Sequence, residues 1–189
     1  MTAQSVPPSE EAKRPLLSAR QIGIAAAFGG AALAIVLAGL TIPIPGTPVV
    51  TDPREPFTTI GASLTGPIGG IIVGILAGVA EPGIPIASLL AHIVGGIYNG
   101  FVYKHVTHGR FSGRVRLVAW AVQVLVYYYV IVVPLFAVGV AVFYPDPTTS
   151  FFPLLVSLWG FVIPESIFTT VVTTIVMAAL PERFKRPMW

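Results

Sequence analysis

One carboxylate lies deep inside a stretch that is otherwise without charge. Glu165 sits in the apolar run Leu154 to Leu180, about 17 Å from its start if the run is helical. A charge at the centre of a bilayer costs about 2.5 to 3.5 kcal/mol on insertion scales, so such a group faces protein or a cavity. Two roles fit Glu165: a protonated or paired acid that holds helices together, or a ligand contact or proton relay. Thr169 and Thr173 continue its face at four-residue spacing, and Pro164 just before it frees a carbonyl. His92 falls about 12 Å into the run that begins at Ile84, on the face of Gly96 and Gly100. It suits a core hydrogen bond or a ligand contact. Consecutive helical residues point about 100° apart, so Tyr127, Tyr128 and Tyr129 cannot all line one pocket, whereas Gln123 and Tyr127 can share a face. Trp159 fits an interfacial anchor or a pocket wall. Asp52, Arg54 and Glu55 either pair with one another or receive a polar ligand. The candidate substrate-binding residues are therefore Glu165, His92, Tyr127, Trp159, Asp52 and Arg54.

Other chemistry is excluded or missing. The sequence contains no GxxxxGK[ST], HExxH or GxSxG pattern, so the chain is not expected to hydrolyse ATP or to be an enzyme. It has no Cys, and His105 and His108 have no acidic companion at ligand spacing. No metal or other cofactor is expected. The net charge of +3 comes from basic residues at the ends of apolar segments, where topology accounts for them, and nucleic acid is not an expected partner.

The elements that must position these residues are membrane helices. Of 189 residues 54% are hydrophobic and only 10% charged, against about 25% charged in soluble chains, which excludes soluble enzymes and disordered linkers. Ile22 to Ile42 carries no charge over 21 residues, enough for one crossing of a core about 30 Å thick. Phe57 to Ala80 holds Gly66-Pro67-Ile68-Gly69-Gly70 near its middle, where Pro removes a donor and Gly loosens the helix. Counting Lys and Arg decides how it runs, because cytoplasmic loops collect them. If this stretch goes in and back out, the chain crosses six times with both termini cytoplasmic, and ten of the eleven basic residues lie inside, with only Arg54 outside. The expectation is an all-α integral membrane protein, a six-helix bundle over residues 22–181. Its helices run from Ile22 to Ile42, Pro56 to Thr65, Ile68 to Ala80, Ile84 to Lys104, Leu117 to Phe143 and Leu154 to Pro181. The second and third are too short to cross unaided and need shelter from the others. Residues 1–21 form a mostly disordered cytoplasmic tail and 182–189 a cytoplasmic C-terminal tail. Pro134 and Pro164 are the expected kinks, and the first outer loop, with five prolines from Pro43 to Pro56, is stiff enough for a lid or an ordered connector.

Small residues recur at spacing four. Ala26, Gly30, Ala34 and Ala38 make the longest stripe, on the first helix, followed by Gly70, Gly74 and Gly78 on the third and Gly96 and Gly100 on the fourth. Such stripes let helices approach closely, within the chain or against another subunit. The first helix is the expected subunit face.

This layout resembles the substrate-binding S components of energy-coupling factor (ECF) transporters, small membrane subunits that capture vitamins and related micronutrients. The likeness spans Ile22 to Pro181. It rests on size, six helices, the first-helix stripe, the proline-rich loop, and the runs from Pro56 to Gly70 and from Ala87 to Gly100. The resemblance implies an outward-facing site built from the first loop and the outer halves of the fourth to sixth helices. It also implies a transmembrane coupling subunit docked on the first three helices at an Ala-x-x-x-Ala pattern, matched here by Ala34 and Ala38, with two cytoplasmic ATPases driving release by toppling of the S component. The expected location is a prokaryotic plasma membrane, and a lone acid among aromatics favours a cationic or zwitterionic cargo. An accessory structural subunit of a larger membrane complex is the alternative, followed by a self-sufficient carrier or channel.

Overall fold

The computed structural model describes residues 15–43, 50–146 and 150–187. Within them lie five apolar helices, each long enough to cross a membrane: α1 (Ala19–Leu37), α2 (Arg54–Gly78), α3 (Pro85–Arg110), α4 (Gly113–Phe143) and α5 (Phe151–Ala179). A short α6 (Glu182–Lys185) follows. The architecture is an all-α bundle suited to a multi-pass membrane protein. One small addition is an antiparallel ladder pairing Ile42 with Thr51 and Pro43 with Val50. The rest of the first proline-rich loop, residues 44–49, lies outside the described residues, as do residues 1–14.

α2 folds back on itself. Gly66 has φ 82° and ψ −178°, a conformation open essentially to glycine alone, and the extended ψ also suits the residue before Pro67. Pro67 can then begin the next helical stretch, where its missing N–H is no loss. The reversal is fixed by contacts across the hairpin: Arg54 at the start of α2 donates from Nη1 to the Ala77 carbonyl near its end at 2.9 Å. The two arms are the short second and third helices expected from the sequence, each about 18 Å long. They are sheltered, since α2 is mostly buried whereas α1 and α5 are mostly not. At the turn, the Gln21 side chain of α1 donates to the Thr65 carbonyl at 3.0 Å, satisfying a group that lipid could not.

Several boundaries differ from expectation. α1 starts at Ala19, inside the expected tail, because Ser18 and Gln21 form a capping box. It stops at Leu37, before Gly39 with φ 62°. α4 starts at Gly113 and not Leu117. Residues 182–185 form a helix where a tail was expected: Tyr103 Oη donates to the Lys185 carbonyl at 2.8 Å, and Glu182 pairs with Arg116 at 2.7 Å. Pro134 leaves its mark upstream, since a π-helical segment at Tyr127–Val132 widens the turn in which the proline removes a donor. Pro164 lies within the continuous α5.

The glycine stripes of the second α2 arm and of α3 meet each other. A Cβ on Gly70 would strike the Gly96 carbonyl, one on Gly74 the His92 carbonyl, and one on Gly100 the Gly66 backbone. This backbone contact sets α3 antiparallel to the arm and holds His92 at a fixed depth. The first-helix stripe behaves differently. α1 packs through Gln21, Ala25, Gly29 and Ala32, while Ala26, Ala34 and Ala38 are exposed and a Cβ on Gly30 would meet nothing within 4 Å.

Candidate ligand-binding site

At the end of the bundle opposite the basic α3–α4 connection, five charged groups converge from α2, α3 and the segments flanking the hairpin. Arg54 is the hub. Its Nε lies 2.7 Å from Asp52 Oδ2 and 3.7 Å from Glu55 Oε1, and its Nη2 lies 2.6 Å from Glu81 Oε2. The backbone of Arg54 donates to Asp52 Oδ1 at 2.9 Å, an Asx-type turn that starts α2 without a side chain in the cap position. One guanidinium thus ties the first loop, the hairpin and the α2–α3 connection together. Burial raises the Asp52 carboxyl above its ordinary value, with the neighbouring guanidinium pulling the other way.

Deeper in, Glu55 and His92 are both 3% exposed. His92 Nε2 lies 2.7 Å from Glu55 Oε1, and Nδ1 lies 2.7 Å from the carbonyl of Ser88, one turn earlier. Both ring nitrogens therefore face oxygen acceptors, and the 2.7 Å line to Glu55 needs a proton shared by the pair. Tyr127 Oη donates to the other Glu55 oxygen at 2.8 Å. The buried acid is saturated, as a group in this setting must be.

Glu165 approaches from α5 without a cation. Its one hydrogen bond comes from Tyr128 Oη at 3.2 Å, which also contacts Thr169 Oγ1 at 2.9 Å; among the described residues no Arg, Lys or His pairs with it. Between Glu165 and the Arg54 cluster lies a cavity of about 140 Å³, bounded by Arg54, Glu55, Glu81 and His92 on one side and Val132, Phe136, Leu158 and Val162 on the other. Among the described residues, the site brings four carboxyl groups, Asp52, Glu55, Glu81 and Glu165, together with one guanidinium, Arg54, and one imidazole, His92. A small ligand with a positive charge and an apolar body fits that distribution.

Of the residues singled out from sequence, Glu165, His92 and Arg54 line the cavity. Tyr127 supports it through Glu55, and Asp52 through Arg54. Trp159 lies outside the lining: its Nε1 donates to the Tyr129 carbonyl at 3.1 Å, and its ring packs by Val133, Ala137 and Leu155. Tyr127 and Tyr128 both reach the site, and Tyr129 turns away to Ser166 Oγ at 3.0 Å. Sequence reasoning missed Glu81, Tyr128 and the central place of Glu55. The signal for Glu55 was its position beside Arg54 at the start of a short apolar helix, where a charged pair has to be accounted for. The hairpin assigned by resemblance to the partner face itself supplies Arg54 and Glu55.

A second polar layer lies nearer the basic end. Gln123 Nε2 donates to Asn99 Oδ1 at 3.1 Å and to Ser63 Oγ at 3.3 Å, and Thr107 Oγ1 donates to Gln123 Oε1 at 2.6 Å. Trp120 Nε1 donates to Thr173 Oγ1 at 3.0 Å. These bonds join α2, α3, α4 and α5 below the cavity and hold its floor.

No family model matches the chain, and no curated protein matches its sequence. The functional reading rests on the site.

Proposed function

We propose that this chain is the cargo-capturing membrane subunit of an ATP-driven importer of the ECF type, and that it binds a cationic or zwitterionic micronutrient on the outer side. The observation that carries this reading is the cavity bounded by Glu165, an acid without a cationic partner, and by the Arg54, Glu55 and His92 cluster. A carboxyl without a cationic partner is costly to ionise in an apolar bundle. A ligand ammonium or similar group supplies the missing partner, and the wall of Val132, Phe136 and Leu158 takes its apolar body.

In this reading the α2 hairpin enters from the outside and returns, which makes six passages and leaves both termini cytoplasmic. The basic α3–α4 connection then lies inside, in accord with the distribution of Lys and Arg. The exposed face of α1 with Ala26, Gly30, Ala34 and Ala38 docks the coupling subunit, which works with two cytoplasmic ATPases. α1 suits this role better than the buried α2 because Ala26, Ala34 and Ala38 are exposed and a Cβ on Gly30 would meet nothing within 4 Å among the described residues.

The test is gentle solubilisation from native membranes followed by native mass spectrometry. A coupling subunit, two ATPases and a small positively charged mass on this chain are expected. A larger assembly without ATPases or ligand would make the chain an accessory structural subunit and the cavity a packing defect.

A further inference from the structure

At the basic end of the bundle a cleft of about 270 Å³ opens between α3, α4 and α6, with Arg114, Arg116 and Lys185 on its rim and Tyr103 and Trp120 in its floor. The floor is closed to water, with these rings 0% and 1% exposed. Their polar atoms are committed, Tyr103 Oη to the Lys185 carbonyl and Trp120 Nε1 to Thr173. The cleft holds three cations and one acid, and Glu182 takes two of them, Arg116 at 2.7 Å and Lys185 at 3.2 Å. Arg114 has no carboxylate partner among the described residues. α4 also begins here, at Gly113, with no side-chain cap and no acid in its first turn, so the positive end of its dipole adds to the field.

Beside the cleft, and sharing Thr107 with it, runs an apolar groove of about 420 Å³ between α3 and α4, walled by Val106, Phe111, Val115, Val118 and Val122. These side chains are open to the surroundings, Val118 at 64% exposed. A basic cleft at the end of apolar helices suits headgroup level, and Arg114 of the cleft stands one turn before Val118 of the groove on the exposed side of α4, so a lipid whose phosphate meets Arg114 can lay an acyl chain in the groove.

We propose that the cleft and groove together form a binding site for an anionic phospholipid, with the phosphate held by Arg114, Arg116 and Lys185 and one acyl chain lying along the α3–α4 groove. Basic pockets between membrane helices take anionic headgroups through charge and hydrogen bonds. Neutral zwitterionic lipids lack the net charge that three cations over one acid select.

The full chain in detergent, titrated with phosphatidylglycerol or phosphatidylcholine and read by native mass spectrometry and thermal unfolding, tests this. Phosphatidylglycerol should stay bound and raise the unfolding temperature, and phosphatidylcholine should do neither. Arg114→Ala should weaken phosphatidylglycerol binding about fivefold, the effect of one surface cation, while the lipid-free unfolding temperature stays unchanged because Arg114 is exposed and pairs with no acid among the described residues. Val118→Trp, which fills the groove, should weaken it as well. Equal retention of the two lipids, or an unchanged affinity in Arg114→Ala, would overturn the proposal. So would full stabilisation by inorganic phosphate with no effect of Val118→Trp, which would make the cleft a site for free phosphate.

Discussion

His92 and Glu55 share a proton because the ring has acceptors on both sides and the carboxylate has Tyr127 on its other oxygen. Removing either partner strands a buried polar group that the other satisfied. His92→Ala is expected to cost about 3 to 5 kcal/mol of stability, read from unfolding of the purified protein in detergent; a loss under about 1 kcal/mol, the range of exposed pairs, would argue against a buried ion pair. Glu165 poses the opposite case. With only Tyr128 as a partner, it gives little to the apo fold, so Glu165→Gln should leave stability within about 1 kcal/mol. The same change should weaken a cationic cargo about tenfold or more, as expected for the loss of a hydrogen bond to a charged group. Titrating the co-purified ligand back onto both proteins separates these effects, and undiminished binding by the variant would remove Glu165 from the site.

At the scale of elements, two glycine contacts decide the geometry. Gly96 meets Gly70 backbone to backbone, so Gly96→Val must push α3 off the hairpin and carry His92 away from Glu55. The expected loss is about 1 to 3 kcal/mol or more, visible in thermal unfolding together with loss of ligand binding. Gly66 holds a conformation that a Cβ disfavours, and Gly66→Ala should cost a similar amount. The helix Glu182–Lys185 responds to pH. Hydrogen bonds from Arg116 and Lys185 hold the Glu182 carboxyl below its ordinary range, so the folded state binds its proton less readily than the unfolded chain. The stabilisation is present above the unfolded value and is lost as pH falls through the folded one. Hydrogen exchange at Phe184 and Lys185 should therefore show more opening, relative to the intrinsic rate, at about pH 4 than at about pH 7; constant protection would show that the clamp adds nothing.

For the whole molecule the question is which faces meet lipid, partner and water. A Cβ at Gly30, on the outward side of α1, would meet nothing within 4 Å among the described residues, so Gly30→Val should leave stability within about 0.5 kcal/mol. In the proposed importer the same change should abolish co-purification of the coupling subunit, and a partner retained in full would move the docking face elsewhere. Because the chain has no native Cys, single cysteines report its topology directly. Pro82→Cys should react with an impermeant reagent added outside intact cells and Ser112→Cys only after permeabilisation. The reverse pattern would invert the bundle.

Length and hydropathy sufficed for an all-α set of apolar helices, and Gly66-Pro67 for the break within the second, because these depend on local properties: helix length against bilayer thickness, and backbone freedom. The residues Glu165, His92 and Arg54 were legible for a related reason, since a charged or titratable group in an apolar run has to be accounted for wherever it lies. Their partnership was not. Glu55 and His92 are 37 residues apart, and Tyr127 and Glu55 are 72 apart. They meet only because the hairpin brings the start of α2 back beside its end, the glycine stripes bring α3 to backbone contact, and the π-helical segment of α4 turns two tyrosines inward. Trp159 shows the converse: its spacing allowed a pocket wall, but packing against Leu155 and Ala137 takes it out of the lining. Position along each helix is written in the chain, whereas direction around each helix axis was decided by tertiary packing, in which the glycines set how closely the helices approach.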